Sequence, residues 1–187
     1  MSVGRLAARA VIGGLFIGHG TQKLFGWFGG PGRAGTQGMM EALQLRPAKV
    51  HATLAGVTET AGGAMIAAGL ATPLAAAGLT GVMTTAIRKV HLPNGAWAAN
   101  GGWEYNAVLI AALTALAETG PGPVSLDHYL GMERTGARWA LAALTTGVGA
   151  AFLTMAAGQR GPAEPMLQAA APVAAEDTAG DPTTVGA

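Results

Sequence analysis

Residues 139–159, WALAALTTGVGAAFLTMAAGQ, contain no Asp, Glu, Lys or Arg over a run of 21 residues. A helix rises about 1.5 Å per residue, so a run of this length matches the roughly 30 Å hydrocarbon core of a bilayer. Charged residues make up 11% of the whole chain and apolar residues 50%, whereas an ordinary soluble domain is roughly 25% charged. Since these charges are too few to cover a soluble surface, the composition predicts an integral membrane protein.

Four further apolar stretches have helical length and lie at about 3–27, 50–70, 73–90 and 104–118. Pro73 separates the second stretch from the third, because proline suits the first turn of a new helix. The fourth stretch has only 13 uncharged residues between Glu104 and Glu118, so its assignment to the membrane depends on the composition of the whole chain. We expect the long side chains of Arg5 and Arg9 to reach back to the membrane interface.

These stretches predict an all-α membrane protein with three regions. Residues 1–135 form a four-helix core, residues 136–160 an additional hydrophobic helix, and residues 161–187 a disordered polar tail. Small residues at every fourth position predict close helix packing in lipid. These stripes are Ala10, Gly14 and Gly18 in the first stretch, and Ala52, Gly56, Thr60, Ala64 and Ala68 in the second.

Composition also excludes some classes of function. The net charge is +1, which gives no concentrated basic patch for nucleic acid. The chain has no cysteine, so it supplies no disulfide, thiolate metal ligand or thiol relay of its own.

Most of the ionisable residues inside the stretches converge if the helices alternate in direction. We call the end where the chain begins the near end, and the end reached by the first helix the far end. Glu59 lies ten residues into the second stretch, about 15 Å deep. Alternation brings six side chains into the far half: His19, Lys23, Glu59, Arg88, His91 and Glu104.

A carboxyl group at this depth suggests function, because an unpaired charge in the membrane is costly. We predict catalytic proton exchange by Glu59, His19, His91 and Glu104, and substrate binding by Lys23 and Arg88. The alternative for Glu59 is a structural pair with Arg88 or Lys23. The other residues have structural alternatives too, as charges at helix ends or as hydrogen-bonded polar groups.

Imidazoles and carboxylates at His19, His91, Glu59 and Glu104 have the ligand chemistry for Fe, Mn or Zn. The chain has no HxxH, ExxH or HExxH spacing to support such a site. We therefore predict no metal site.

Several blocks of sequence resemble those of the DoxX family of membrane proteins. They are Arg9 with FIGHGTQKLFG (16–26) and Gly29-Gly30, ETAGG (59–63), GLATPL (69–74), His91 before Asn94-Gly95, GGWEY (101–105), and Gly120-Pro121-Gly122 before Ser125-Leu126-Asp127. The resemblance covers about residues 5–130. It implies a four-helix core in the bacterial cytoplasmic membrane and a link to redox biology, since relatives include the membrane subunit of an archaeal thiosulfate:quinone oxidoreductase. The segment 139–158 and the tail are departures from that pattern.

Three functions therefore stay open. The first is a membrane component of a quinone-linked redox system for sulfur or oxidative stress, in which a quinone is the possible cofactor and the chain is a possible oxidoreductase subunit. The second is a non-enzymatic scaffold that recruits a soluble redox enzyme. The third is a small proton-coupled transporter. The lipid bilayer is the partner common to all three.

Overall fold

The computed structural model describes residues 3–161, and every regular element in that range is helical. The helices are α1 (Val3–Phe25), α2 (Gly32–Ala42), α3 (Ala48–Ala68), α4 (Thr72–Ala86), α5 (Glu104–Thr119), α6 (Leu126–Tyr129) and α7 (Ala137–Arg160). A π turn, Ile87–His91, continues α4 without a break. The all-α prediction is confirmed for this part of the chain. The predicted tail lies outside the described residues, apart from its first residue, Gly161.

α1 and α3 pack antiparallel through glycines. A Cβ atom added at Gly13 would lie 2.6 Å from the carbonyl oxygen of Gly63, and one added at Gly63 would lie 2.7 Å from the carbonyl oxygen of Gly13. Further along, Gly20 meets Gly56 and Thr60 in the same way. The two backbones therefore touch with no side chain between them, which is the close approach that small residues allow between helices in lipid.

The stripe of small residues predicted to pack in α1 lies on the wrong face of that helix. A Cβ atom added at Gly14 or Gly18 would have no neighbouring atom within 4 Å, whereas Gly13 and Gly20 lie in the contact. In α3 the predicted Ala52 and Gly56 are buried, but Ala64 is exposed. Spacing alone misassigned the faces because α1 is rich in Gly and Ala, so several stripes have the same period.

α4, α5 and α7 complete the assembly on the other side of α3. Gly62 of α3 lies against Leu79 of α4, and the backbone of Gly81 in α4 meets Gly147 in α7. The main apolar core, which includes Phe16, Ile66, Leu79 and Leu113, lies where α1, α3, α4 and α5 meet. α7 runs from the near end to the far end. Just before it begins, Gly136 N donates to Glu118 O at the near end, and close to its last residue Gly158 O accepts from Arg46 N at the far end.

α2 was not predicted, because its 11 residues include few large apolar side chains. It buries Thr36 and Met40 against the far end of α1 and α3 and exposes most of its other residues. The Thr36 hydroxyl donates to the carbonyl oxygens of Gly32 and Lys23. α2 therefore lies at the far end as a short amphipathic helix tied to the last turn of α1.

The near end is organised by Arg9, whose side chain is only 2% exposed. The expectation that Arg9 reaches back to the interface is wrong. Its guanidinium turns inward and donates to four carbonyl oxygens at 2.7–3.0 Å, those of Ile66, Ala67, Pro121 and Val124. The last carbonyl groups of α3 have no N–H donors within the helix. A guanidinium offers five N–H donors. The side chain is therefore better satisfied inside than at the interface.

Asp127, also buried, closes the other side of the α3–α4 turn. Its carboxylate accepts from the backbone N–H groups of Ala71 (2.7 Å) and Thr72 (3.1 Å) and from the Thr72 hydroxyl. A cation thus lies at the C-terminus of α3 and an anion at the N-terminus of α4, which is the favourable placement for both helix dipoles.

The outer faces of the long helices are apolar. Exposed large side chains include Val11, Leu15, Leu54, Val57, Leu74, Val108, Leu141, Phe152 and Leu153. Within residues 3–161, α7 is the one helix whose own length and composition suffice to cross a membrane. The surface as a whole has the composition expected where lipid is the solvent.

Substitution of Gly13 by Ala tests the α1–α3 contact, with Gly14→Ala as its matched control. The new Cβ at Gly13 meets the α3 backbone, so we expect a loss of about 1–3 kcal/mol of stability. The Cβ at Gly14 meets open space, so that variant should keep or slightly raise stability, because Ala favours helix over Gly. Unfolding of both variants in detergent micelles measures the difference. Equal effects would contradict the packing.

Removal of the Asp127 carboxylate should destabilise the near end. In Asp127→Ala the Ala71 and Thr72 N–H groups lose their acceptor, and loss of such a cap costs about 0.5–2 kcal/mol. Glu133→Ala is the control, because Glu133 forms only an exposed pair with His128 and such pairs contribute little. Thermal unfolding in detergent provides the measurement, and a control as unstable as Asp127→Ala would contradict the capping role.

Candidate functional site

Lys23 and Glu59 form an ion pair inside the α1–α3 contact. The Lys23 ammonium donates to Glu59 Oε2 at 2.5 Å, and the side chains are 19% and 3% exposed. Gly56 and Gly63 lie one turn before and after Glu59 on α3, both buried against α1. The small residues let α1 approach closely enough for Lys23 to reach the carboxylate. The structure thus places Lys23, and not Arg88, against Glu59.

The pair is held in place by its surroundings. Glu59 is buried because α3 presents it to α1, and a lone carboxylate there would carry a large desolvation cost. The backbone of Lys23 is fixed in turn by the Thr36 hydroxyl of α2, which donates to the Lys23 carbonyl oxygen. The partly exposed ammonium makes Lys23 the side from which the pair can be reached.

His19 lies one turn before Lys23 on α1, and its side chain is exposed. It lies close enough to Glu59 to interact electrostatically with the carboxyl group. His19, Lys23 and Glu59 are therefore the three predicted site residues that the structure brings together, in the order exposed, partly exposed and buried.

The other three predicted site residues lie apart from the pair. Arg88 is exposed on the π turn. His91 Nδ1 is hydrogen-bonded with the carbonyl oxygen of Gly101 at 2.7 Å, and Glu104 Oε1 accepts from the N–H of Ala98 at 2.8 Å. His91 and Glu104 thus flank one segment, residues 92–103, which we call the far loop, and each is hydrogen-bonded to a backbone group within it.

The far loop is tightly built. Backbone bonds run from Gly102 N to Trp97 O and from Trp103 N to Gly95 O. A Cβ at Gly102 would lie 2.5 Å from the Gly95 carbonyl oxygen, so the turn needs glycine there. At the tip, the Trp97 side chain is 68% exposed. The far loop therefore presents a large aromatic side chain on a fixed backbone.

The functional side chains that sequence reasoning passed over lie at the near end. Asp127 was noted only as part of a family resemblance, and Arg9 was otherwise expected only to reach the membrane interface. Ser125 caps α6 by accepting from His128 N, and such a cap before Asp127 is a sequence signal for a helix start. The partners of Arg9 lie more than 50 residues away along the chain, so its role had no local signal.

A small cavity of about 10 Å³ also lies at this end, lined in part by Leu6, Arg9, Pro121 and Val124. It has room for about one water molecule. Within residues 3–161, no three His, Asp or Glu side chains form a group that could hold a metal ion.

The DoxX family model matches residues 4–92 of the chain, from α1 through the π turn. Through this region the chain is similar to the DoxX family. No curated protein and no solved structure matches the chain. DoxX proteins are membrane proteins, which agrees with the apolar outer faces of the helices. Within the DoxX region lie the Lys23–Glu59 pair, His19, Arg88 and His91, whereas Glu104, Asp127 and α7 lie beyond it.

Breaking the pair from the lysine side should destabilise the protein. Lys23→Met leaves the Glu59 carboxyl buried without a cation, and removal of one partner of a buried pair costs about 3–5 kcal/mol. The double variant Lys23→Met/Glu59→Gln should recover part of that loss, because no unpaired charge remains. Thermal unfolding in detergent at neutral pH measures all three proteins.

The matched control is Lys49→Met, since Lys49 is exposed on the first turn of α3 and its loss should change stability little. If Lys23→Met unfolds at the same temperature as this control, the ion pair does not contribute as described.

Proposed function

We propose that this protein crosses the bacterial cytoplasmic membrane several times, through its five long helices α1, α3, α4, α5 and α7. The support is their side-by-side packing with apolar outer faces. α4 and its π turn together span residues 72–91, which is close to the roughly 20 residues that a membrane crossing needs.

We further propose that it is a component of a quinone-linked redox system of sulfur or oxidative-stress chemistry. The observation that carries this proposal is the buried Lys23–Glu59 pair with exposed His19 one turn away. A pair of titratable groups deep among apolar helices is expensive to maintain, and such groups mark proton and substrate sites in membrane proteins. The DoxX family contributes the suggestion of quinone chemistry.

The order of the three side chains fits proton exchange with a lipid-soluble carrier. Reduction of a quinone to a quinol takes up two electrons and two protons. A quinone that approaches α1 from the lipid meets His19 first and then the Lys23 ammonium, which can donate to a quinone oxygen. Of the two protons, one comes from protonated His19 and one from the Lys23–Glu59 pair through the ammonium, and water restores both. When a quinol is oxidised, His19 and Glu59 accept the two protons.

The electrons come from a reduced donor or partner enzyme, because this chain has no cysteine of its own. Arg88 is exposed at the far end, where an anionic donor in water would meet it. His91 and Glu104 shape the far loop in this proposal, and proton exchange is assigned to His19 and Glu59.

The alternative is a scaffold that recruits a soluble redox enzyme. The far loop favours it, because an exposed tryptophan on a rigid backbone is typical of the anchors that dominate protein interfaces. In that function the Lys23–Glu59 pair only fixes the contact between α1 and α3.

Purification of the full chain in a mild detergent, followed by solvent extraction and chromatography, distinguishes the two. We expect bound quinone in the wild type, and at least a tenfold loss in Glu59→Gln, because the ammonium of Lys23 loses its charged partner. Glu41→Gln, at an exposed position of α2, should retain the quinone. An empty wild-type preparation that co-purifies with a soluble enzyme would contradict the quinone site and support the scaffold.

A further inference from the structure

Four basic residues from separate parts of the chain lie at the far end, around the connector of residues 43–47 that joins α2 to α3. Lys89 Nζ, on the π turn of α4, donates to the carbonyl oxygen of Leu43 at 3.0 Å. Arg46 lies in the connector itself, and its N–H donates to the carbonyl oxygen of Gly158 in α7 at 3.1 Å. We call the resulting group the connector patch: Arg46, Lys49, Lys89 and Arg160.

The other two members of the connector patch are placed by their neighbours. Lys49 lies in the first turn of α3, three residues after Arg46, and Arg160 ends α7, two residues after Gly158. Both side chains are exposed, and those of Arg46 and Lys89 are half-buried. Three helices and one connector thus bring their charges to one surface, although the charges are spread over more than 100 residues of sequence.

Little negative charge balances the connector patch among the described residues. Within residues 3–161, the acidic side chain nearest in sequence to Arg46 is Glu41, exposed near the end of α2, and none of the four cations forms an ion pair. His51 lies beside them, with Nε2 3.2 Å from the Arg46 carbonyl oxygen, and adds a further positive charge when protonated. Basic residues on one surface without a paired carboxylate attract anions, so an anion bound here would stabilise the far end.

We propose that the connector patch binds the headgroup of an anionic phospholipid. Every one of its cations lies at or beside a helix end, which is the headgroup level for helices that cross a bilayer, and basic clusters at that level attract anionic lipid. α3 and α7, which carry Lys49 and Arg160, also expose apolar side chains suited to contact acyl chains. These are Val50 and Leu54 on α3, and Phe152 and Leu153 on α7.

The seam beneath the connector patch is apolar as well. Leu45, Ala48 and Ala52 pack there against Ala151 and Met155 of α7. A phospholipid at this position would have its phosphate on the connector patch and its chains along α3 and α7. It would thereby bridge the DoxX region to α7, which lies outside the family match.

The test is native mass spectrometry of the full-length protein, stripped of lipid in a neutral detergent and titrated with phosphatidylglycerol or phosphatidylcholine. We expect phosphatidylglycerol to bind in preference. Lys49→Gln/Arg160→Gln should weaken its binding roughly 25-fold, since each basic residue near a membrane surface contributes about fivefold. The matched control is Arg134→Gln/Arg138→Gln, two cations near Trp139 at the near end, which should bind as the wild type does.

Three results would overturn the proposal. The first is equal binding of the two lipids, and the second is an equal loss in the near-end control. The third concerns residues 162–187, which follow α7 directly and contain Glu164, Glu176, Asp177 and Asp181 but no Lys or Arg. If the wild type binds no phosphatidylglycerol and a chain ending at Gly161 does, this acidic segment occupies the connector patch and lipid does not. None of these results depends on the quinone site.

Discussion

The α3–α4 turn, held between the guanidinium of Arg9 and the carboxylate of Asp127, is the constraint on which the rest of the structure depends. Arg9 satisfies carbonyls at the end of α3, and Asp127 satisfies N–H groups at the start of α4. Because Arg9 comes from α1 and Asp127 lies in α6, the same contacts join the beginning of the chain to the segment after α5. In an apolar environment, where water cannot satisfy these groups, the two side chains fix the orders and directions of the helices.

With that end fixed, α1 and α3 can run antiparallel in contact along their glycines up to the far half. There the same closeness that brings Gly20 to Gly56 brings Lys23 to Glu59. The helix packing and the ion pair therefore depend on the same contact between α1 and α3. Substitution of its glycines by larger residues would move the ion pair as well. The near end supplies rigidity through groups that are fully bonded, while the far end carries the partly exposed ammonium and the exposed imidazole.

Much of the architecture was predictable from sequence, because it follows from composition and from breaks between apolar stretches. The ends of α3, α5 and α7 fall close to the predicted stretches, and Pro73 lies in the first turn of α4. α2 was missed because its buried face consists of little more than Thr36 and Met40. The alternating directions also placed Lys23 near Glu59. Arg88, His91 and Glu104 belong to the same half, but a half of the assembly is wider than the reach of one side chain. His91 and Glu104 bind the far loop instead, and Arg88 is exposed on the π turn.

The sequence by itself determined that the chain is helical, that lipid suits its surface, and that its few charges concentrate at particular helix ends. These properties depend on residue type and on spacing along one helix, both of which can be read locally. Only the tertiary structure decided which glycine face of α1 meets α3, which cation pairs with Glu59, and that Arg9 turns inward. Each of those outcomes depends on the rotation of one helix about its axis relative to another, and that rotation is set by contacts between residues distant in the chain.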